Sequence, residues 1–363
     1  MKEEIKKKVC LISFVGPKKG HEREDLVEDS LNEMEDLLKV LNYSVDKVFI
    51  QKVKSFNNRI LLGEGKLLEV QAYCKENSID ILVFDTEISP GQNVRIEKLL
   101  QMNVFDRTFI ILQIFSQRAK DEFSKIQVQI ALEEYLLPRL VGRWSHLSRQ
   151  KGGIGLKGDG EKQIEIDRRI SKKKIFLLKE KFKILEKRYL EQSKKRKENI
   201  LTATLIGRTN AGKSSLMNSL CKESQVVSHS YFSTLDTRFR ALIPKSNPLL
   251  CICDTVGLIQ KLPTQIVSGF RSTLLAIEES KVLIFLIDAS DKNFDQHKEL
   301  IQQHLSSEKK SLLVFNKIDL ISSLDLEKIQ KQYPEAYFIS TKNKLGIDSL
   351  KSSVVEALMD SYR

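Results

Sequence analysis

Eight residues, Gly207-Arg208-Thr209-Asn210-Ala211-Gly212-Lys213-Ser214, match the pattern G-x-x-x-x-G-K-[ST]. The apolar run Leu201–Ile206 stands directly before them. In a strand-then-helix setting this spacing makes a phosphate loop. Glycines let backbone N–H groups approach phosphate oxygens, and the positive end of the following helix points at them. Lys213 is expected to reach the β- and γ-phosphates, and Ser214 to offer its hydroxyl to Mg²⁺. Two further groups follow in order. Asp254-Thr255-Val256-Gly257 ends the apolar run Leu249–Cys253, so Asp254 is expected at a strand end near the Mg²⁺ shell, with the Gly257 N–H at the γ-phosphate. Asn316-Lys317-Ile318-Asp319 follows Leu312–Phe315 and selects the base. A carboxylate accepts from both N1–H and the N2 amine of guanine, whereas adenine would leave Asp319 buried without a donor. The nucleotide is therefore GTP, and Ser340-Thr341-Lys342 is expected to support its base. Asn210 stands at the position that holds a K⁺ ligand in potassium-dependent GTPases, which makes K⁺ a second candidate cation.

The elements that position these groups divide the 363 residues in three. The runs Val9–Val15, Val45–Ile50, Ile79–Phe84 and Phe109–Phe115 read as strands. They alternate with helical patterns over Asp25–Leu41 and Lys66–Lys75, which argues a parallel α/β sheet over residues 1–118. Ser89-Pro90-Gly91 reads as a turn opening a helix, and Gly63-Glu64-Gly65-Lys66 lacks a phosphate-loop pattern. Residues 119–199 read as a helical hairpin. Ile126, Ile130, Leu137, Leu140, Trp144 and Leu147 form one seam, and Ile175, Leu178, Phe182, Leu185 and Tyr189 the facing one. Pro138 should kink the first helix. The connection Lys151–Gly160 has five glycines in ten residues, more than a turn requires. Residues 200–363 carry the nucleotide motifs.

Charge is concentrated in the hairpin. The chain has 60 Lys or Arg and 48 Asp or Glu, for a net charge of +12. Between Arg139 and Ile200 there are 20 basic and 8 acidic residues, so this stretch carries the whole surplus. Such a local surplus suits a polyanion, because each basic group meeting a phosphate releases counterions. The five cysteines make no C-x-x-C pair and fit a reducing compartment, and the histidines show no metal spacing. No stretch approaches the ~20 apolar residues of a membrane span, so a cytoplasmic protein is expected, with peripheral membrane association left open.

Four stretches resemble the HflX family of ribosome-associated GTPases. They are Asp106-Arg107-Thr108 with Ile114–Ala119, the helix Tyr135–Leu140, the glycine-rich tip Arg149–Leu156, and the switch segments Phe232–Asp236, Asp254–Gly257 and Leu262-Pro263. The resemblance implies an N-terminal α/β domain, a long antiparallel helical hairpin and a C-terminal Ras-like P-loop GTPase domain. It implies binding to the large ribosomal subunit and its rRNA, rather than DNA, and GTP-driven separation of stalled or idle ribosomes by a monomer. Phe232, Ser233, Thr234, Leu235 and Asp236 would form the first switch, with Thr234 sensing Mg²⁺ and Thr237 the alternative. Arg149, Lys151, Gly152, Gly153, Gly155 and Lys157 would touch RNA. The chain departs from the family in three places. Asp236-Thr237-Arg238 is two residues shorter than the usual D-P-T-T-R, Asp159 and Lys162 replace Pro and Thr, and Leu258 stands where the family has Phe. Many GTPases place a water-orienting Gln at that last position. No catalytic residue is therefore assigned, and slow, ribosome-stimulated hydrolysis is expected. Two rivals stay open: a ribosome- or RNA-binding module with a slow switch, and a P-loop kinase or ATPase.

Overall fold

The computed structural model describes residues 7–15, 24–52, 60–140, 159–197, 199–221, 238–254, 277–291, 294 and 309–362. Their contacts divide into two compact units. In the first, β1 (Lys7–Val15), β2 (Tyr43–Lys52), β3 (Ile81–Phe84) and β4 (Asn103–Asp106) form a parallel sheet in the order β2-β1-β3-β4. The run Val9–Phe14 is buried residue after residue, as a central parallel strand covered on both faces requires. Leu31, Met34, Leu37 and Leu38 recur at helical spacing on α1 (Glu24–Val40) and are all buried, and Leu67, Val70 and Cys74 do the same on α2 (Glu64–Glu76). Ser89 and Gln92 form a reciprocal capping box at the start of α3 (Pro90–Leu100), with Pro90 in the first turn, so the expected turn opens a helix.

The fourth expected strand is a correction. Phe109–Phe115 lies inside helix α4 (Arg107–Arg118), and the strand is the short β4 before it. Residues 107–112, 114 and 115 of α4 are all buried, and the exposed Ser116 and Gln117 come only after the run, so Phe109–Phe115 by itself shows almost no helical period. The sheet end here is knit by buried charge. Arg107 pairs with Glu33 and with Asp85 at 2.5 Å, and Ser30 Oγ donates to Asp85 at 2.7 Å. Asp106 accepts from Phe109 N and from the Tyr135 hydroxyl, both at 2.8 Å.

At Pro138 helix α5 (Glu122–Leu136) tightens into a 3₁₀ turn over Leu137–Arg139, and Leu140 beyond it is again α-helical, so the regular α-helix is interrupted where the proline was expected to disturb it. The proline ring removes the donor that another α-turn would need. Helix α6 (Asp159–Lys197) runs 39 residues. Lys174 pairs with Glu133 of α5, and Lys179 with Glu134 at 2.6 Å. On the expected seam Ile126 and Ile175 are buried, while Ile130, Leu178, Phe182 and Leu185 are half-buried. A further row, Ile166, Ile170, Leu177 and Ile184, is exposed on α6. Residues 141–158, with Trp144, Leu147, Arg149, Lys151, Gly152, Gly153, Gly155 and Lys157, lie outside the described residues, while Asp159 and Gly160 of the expected connection open α6.

The second unit is built on a six-stranded sheet of β5 (Ile200–Ile206), β6 (Arg238–Ile243), β7 (Leu249–Asp254), β8 (Val282–Asp288), β9 (Lys310–Asn316) and β10 (Tyr337–Phe338). Its order is β10-β9-β8-β5-β7-β6, parallel except for β6 on β7. Leu201, Ala203 and Leu205 of β5 share one core with Leu216 and Leu220 of α7 (Lys213–Leu220) and Leu350 and Val354 of α9 (Ile347–Asp360). Helix α8 (Ser323–Gln332) follows β9 and places Ile329 against Phe315 and Ile287. All five cysteines are free and buried, as small hydrophobes. The architecture thus brings the carboxyl ends of β5, β7, β8 and β9 to one edge, where ligands of open α/β sheets bind.

Candidate nucleotide site

The loop from β5 to α7 can take its shape only with glycine at two positions. A Cβ on Gly207 would lie 2.3 Å from the Leu286 carbonyl oxygen. Gly212 has φ +94°, and its Cβ would lie 2.3 Å from Asn316 Nδ2. Asn210 also takes a left-handed φ, 62°. Lys213, buried at the start of α7, donates from Nζ to Gly207 O at 2.9 Å and Arg208 O at 2.6 Å. Burial depresses its ammonium from an ordinary 10.5 to about 8, against a weaker opposing pull from Asp254. A cation held against the loop's own carbonyls at a helix start is a receptor for anionic oxygen.

Ser214 Oγ donates to Asp254 Oδ2 at 2.7 Å. Asp254 ends β7 and is 1 % exposed, paired in register with Leu205 next to the loop. A hydroxyl and a carboxylate converging beside a phosphate loop are hard oxygen donors, which suits Mg²⁺. Thr255, Val256, Gly257 and Leu258, and the first-switch residues Phe232, Ser233, Thr234, Leu235, Asp236 and Thr237, lie outside the described residues.

The third part stands at the end of β9. Asn316 is fully buried and braces two segments, donating from Nδ2 to Ala211 O at 2.9 Å and accepting from Thr341 N at 3.1 Å on Oδ1. Lys317 has φ 64° and pairs with Asp288 at 2.6 Å. Ile318 N donates to Ile339 O at 3.3 Å. Ser340 Oγ donates to Asp319 Oδ1 at 2.5 Å while accepting from Asn343 N at 3.1 Å, so the carboxylate is oriented from behind. A pocket of about 770 Å³ results. Asn210, Gly212, Asn316, Lys317, Asp319, Thr341 and Lys342, each singled out in the sequence, line it together. The same pocket includes residues the motifs do not name: Ser215, Asn218 and Ser219 on α7, and Lys344 and Asp348 beyond β10. Asn218 accepts from Arg240 Nη1 at 2.5 Å, a contact across 22 residues that no local pattern could have shown.

Comparison with known proteins decides the family. Three family models cover the chain in succession, described as GTP-binding GTPase N-terminal over residues 28–116, GTP-binding GTPase middle region over 118–196, and 50S ribosome-binding GTPase over 202–317. GTPase HflX of Flavobacterium psychrophilum is 38% identical, covering 96% of this chain and 90% of that one. The Escherichia coli protein of the same name is 33% identical over 91% of this chain and 79% of its own. The chain belongs to the HflX family. It is a GTPase, which excludes the kinase and ATPase reading. A solved complex of SsGBP with GDP, 23% identical, covers 98% of this chain and 99% of that one at TM-score 0.52, so this HflX chain shares its fold. No helix among the described residues of this HflX chain is long and apolar enough to cross a membrane.

Proposed function

We propose that this chain is a GTP-driven, ribosome-associated switch of the cytoplasm that separates the subunits of stalled or idle ribosomes. One observation carries the nucleotide half: Asn316 joins the phosphate loop through Ala211 to the base-support loop through Thr341, so both ends of one guanine nucleotide are met by a single framework. Backbone N–H groups of Gly207, Arg208, Thr209, Asn210, Ala211 and Gly212 cradle the phosphates, and Lys213 moves from its carbonyls to the β- and γ-oxygens. Asp319, aimed by Ser340, reads guanine; Lys317, Ile318, Thr341 and Lys342 wall the base. Ser214 and Asp254 would hold Mg²⁺, with Thr234 of the first switch as its further expected ligand. Bound Mg²⁺ offsets the charge on the β- and γ-phosphates. Asn210 is the K⁺-facing residue of the loop.

The hairpin is the ribosome-facing half in this reading, supported by the 20 basic and 8 acidic residues between Arg139 and Ile200. A folded RNA offers phosphates and shape to a basic rod, and the close-packing glycines of the tip suit contact with it. Leu258 cannot polarise water, so hydrolysis is slow until the large subunit completes the site. The test is steady-state GTP hydrolysis with and without purified large subunits, on the parent chain and on one lacking Lys151–Gly160. Strong stimulation that vanishes with the tip supports the proposal; no stimulation of the parent overturns it. A second reading, binding without separation, is told apart by light scattering of intact ribosomes mixed with the chain and a non-hydrolysable GTP analogue.

A further inference from the structure

The end of β8 and the turn that follows carry two carboxylates, Asp288 and Asp291, that belong to none of the nucleotide motifs. Asp288 Oδ2 lies 2.6 Å from Lys317 Nζ, and Asp291 Oδ2 accepts from Arg208 Nη1 at 2.9 Å. Lys317 sits in the guanine-reading segment and Arg208 in the phosphate loop. One four-residue turn therefore grips a charged side chain from each. The four side chains are only 17–24 % exposed, where an ion pair is screened less than at the open surface.

The turn is itself fixed. Asp288 Oδ1 accepts from Ser290 N at 3.0 Å and Ser290 Oγ at 2.6 Å, and Asp291 N donates to Asp288 O at 3.2 Å. Ala289 N donates to Asn316 O at 2.8 Å. Immediately beneath, Leu286 O is the atom that leaves Gly207 no room for a side chain. Lys317 needs such support more than most residues, because a left-handed φ of 64° is costly for a side chain with a Cβ.

We infer that Asp288–Asp291 is a positioning strut that sets the spacing between the phosphate loop and the guanine-reading segment. The inference rests on the proposed placement of the nucleotide between those two. Neither carboxylate touches the nucleotide. Their work is done beforehand, by holding two separate contact surfaces at the distance one ligand must span, so that less ordering is required on binding. A cut at either end of the strut frees the same spacing, so the two ends are coupled.

The test uses the full chain carrying Asp288→Asn, Asp291→Asn or both, with fluorescent GDP binding and the melting temperature of the nucleotide-free chain as readouts. Each single substitution should raise the GDP Kd about fivefold, and the double about fivefold to tenfold rather than the ~25-fold of independent losses. GTP should weaken in parallel, and Asp291→Glu, which keeps the charge, should restore most of the affinity. Melting of the nucleotide-free chain should change little. An unchanged Kd in the double variant, additive losses, or losses that follow a lowered melting temperature overturn the strut. Asp319→Asn, measured alongside, tests the site by its own criterion, a preference switched from GDP to XDP. That switch together with an unchanged Kd in the strut variants removes the strut alone; no switch removes the site and the strut with it.

Discussion

Gly212 and Asn316 are packed so closely that a Cβ on the glycine would lie 2.3 Å from the asparagine Nδ2. That nitrogen donates to Ala211 O, so the last glycine of the phosphate loop and the first residue of the guanine-reading segment share one contact. Gly212→Ala must both strain a φ of +94° and displace the carboxamide. We expect a loss of GDP affinity of more than about tenfold, with a lowered melting temperature, since strain of this kind costs on the order of 1–3 kcal/mol. Calorimetric titration of the variant with GDP checks this; parental affinity would contradict it.

Asp319→Asn should exchange the base preferred. The amide offers a donor where the carboxylate offered only acceptors, which matches the carbonyl at position 2 of xanthine and mismatches the guanine amine. Competition of XTP and GTP for the pocket measures it.

The titration of Lys213 gives a pH dependence with a definite sign. Its folded value of about 8 is below the ordinary 10.5 of the unfolded chain. Between those values the unfolded state binds more protons, so this residue's contribution to stability rises with pH across the window and levels off below about pH 8. The rise should appear in the nucleotide-free chain and be missing from Lys213→Met. Nucleotide phosphates favour the ammonium, so GDP binding at pH 9 should take up protons, read as a dependence of the binding heat on buffer ionisation enthalpy.

Arg107 is 1 % exposed between Glu33 and Asp85. Arg107→Leu leaves two buried carboxylates without their cation, a change that costs about 3–5 kcal/mol. Urea unfolding of the variant should show that loss. A cost below about 1 kcal/mol would mean that the pocket takes in water or protonates its acids freely.

If Asn210 faces K⁺, GTP turnover should be faster in KCl than in NaCl at equal ionic strength. The difference should shrink in Asn210→Ala. Equal rates in the two salts would leave Asn210 a loop residue whose short side chain suits its φ of 62°.

Much of the second unit was legible because each chemical motif stands at the end of an apolar run, and the runs at Leu201–Ile206, Leu249–Cys253 and Leu312–Phe315 all became strands. Motif and element reinforce each other there. In the first unit Phe109–Phe115 misled, because a short buried stretch of helix and a buried strand present nearly the same run of apolar residues. Pro138 was legible as a disturbance of its helix, because a ring without a backbone donor breaks the α-pattern wherever it falls, and a 3₁₀ turn stands there. The pairing of Arg208 with Asp291 spans 83 residues and depends on β8 lying next to β5. Only the strand order could reveal it, and strand order is not written locally.

Helix α6 has one more consequence. At 1.5 Å per residue its 39 residues reach about 58 Å, several times the thickness of a sheet layer. A stiff rod of that length acts as a lever: tilting it by about 5° at one end carries the other by about 5 Å, roughly the rise of one helical turn. The geometry of α6 thus multiplies a tilt of a few degrees at one end into a displacement of several ångströms at the other.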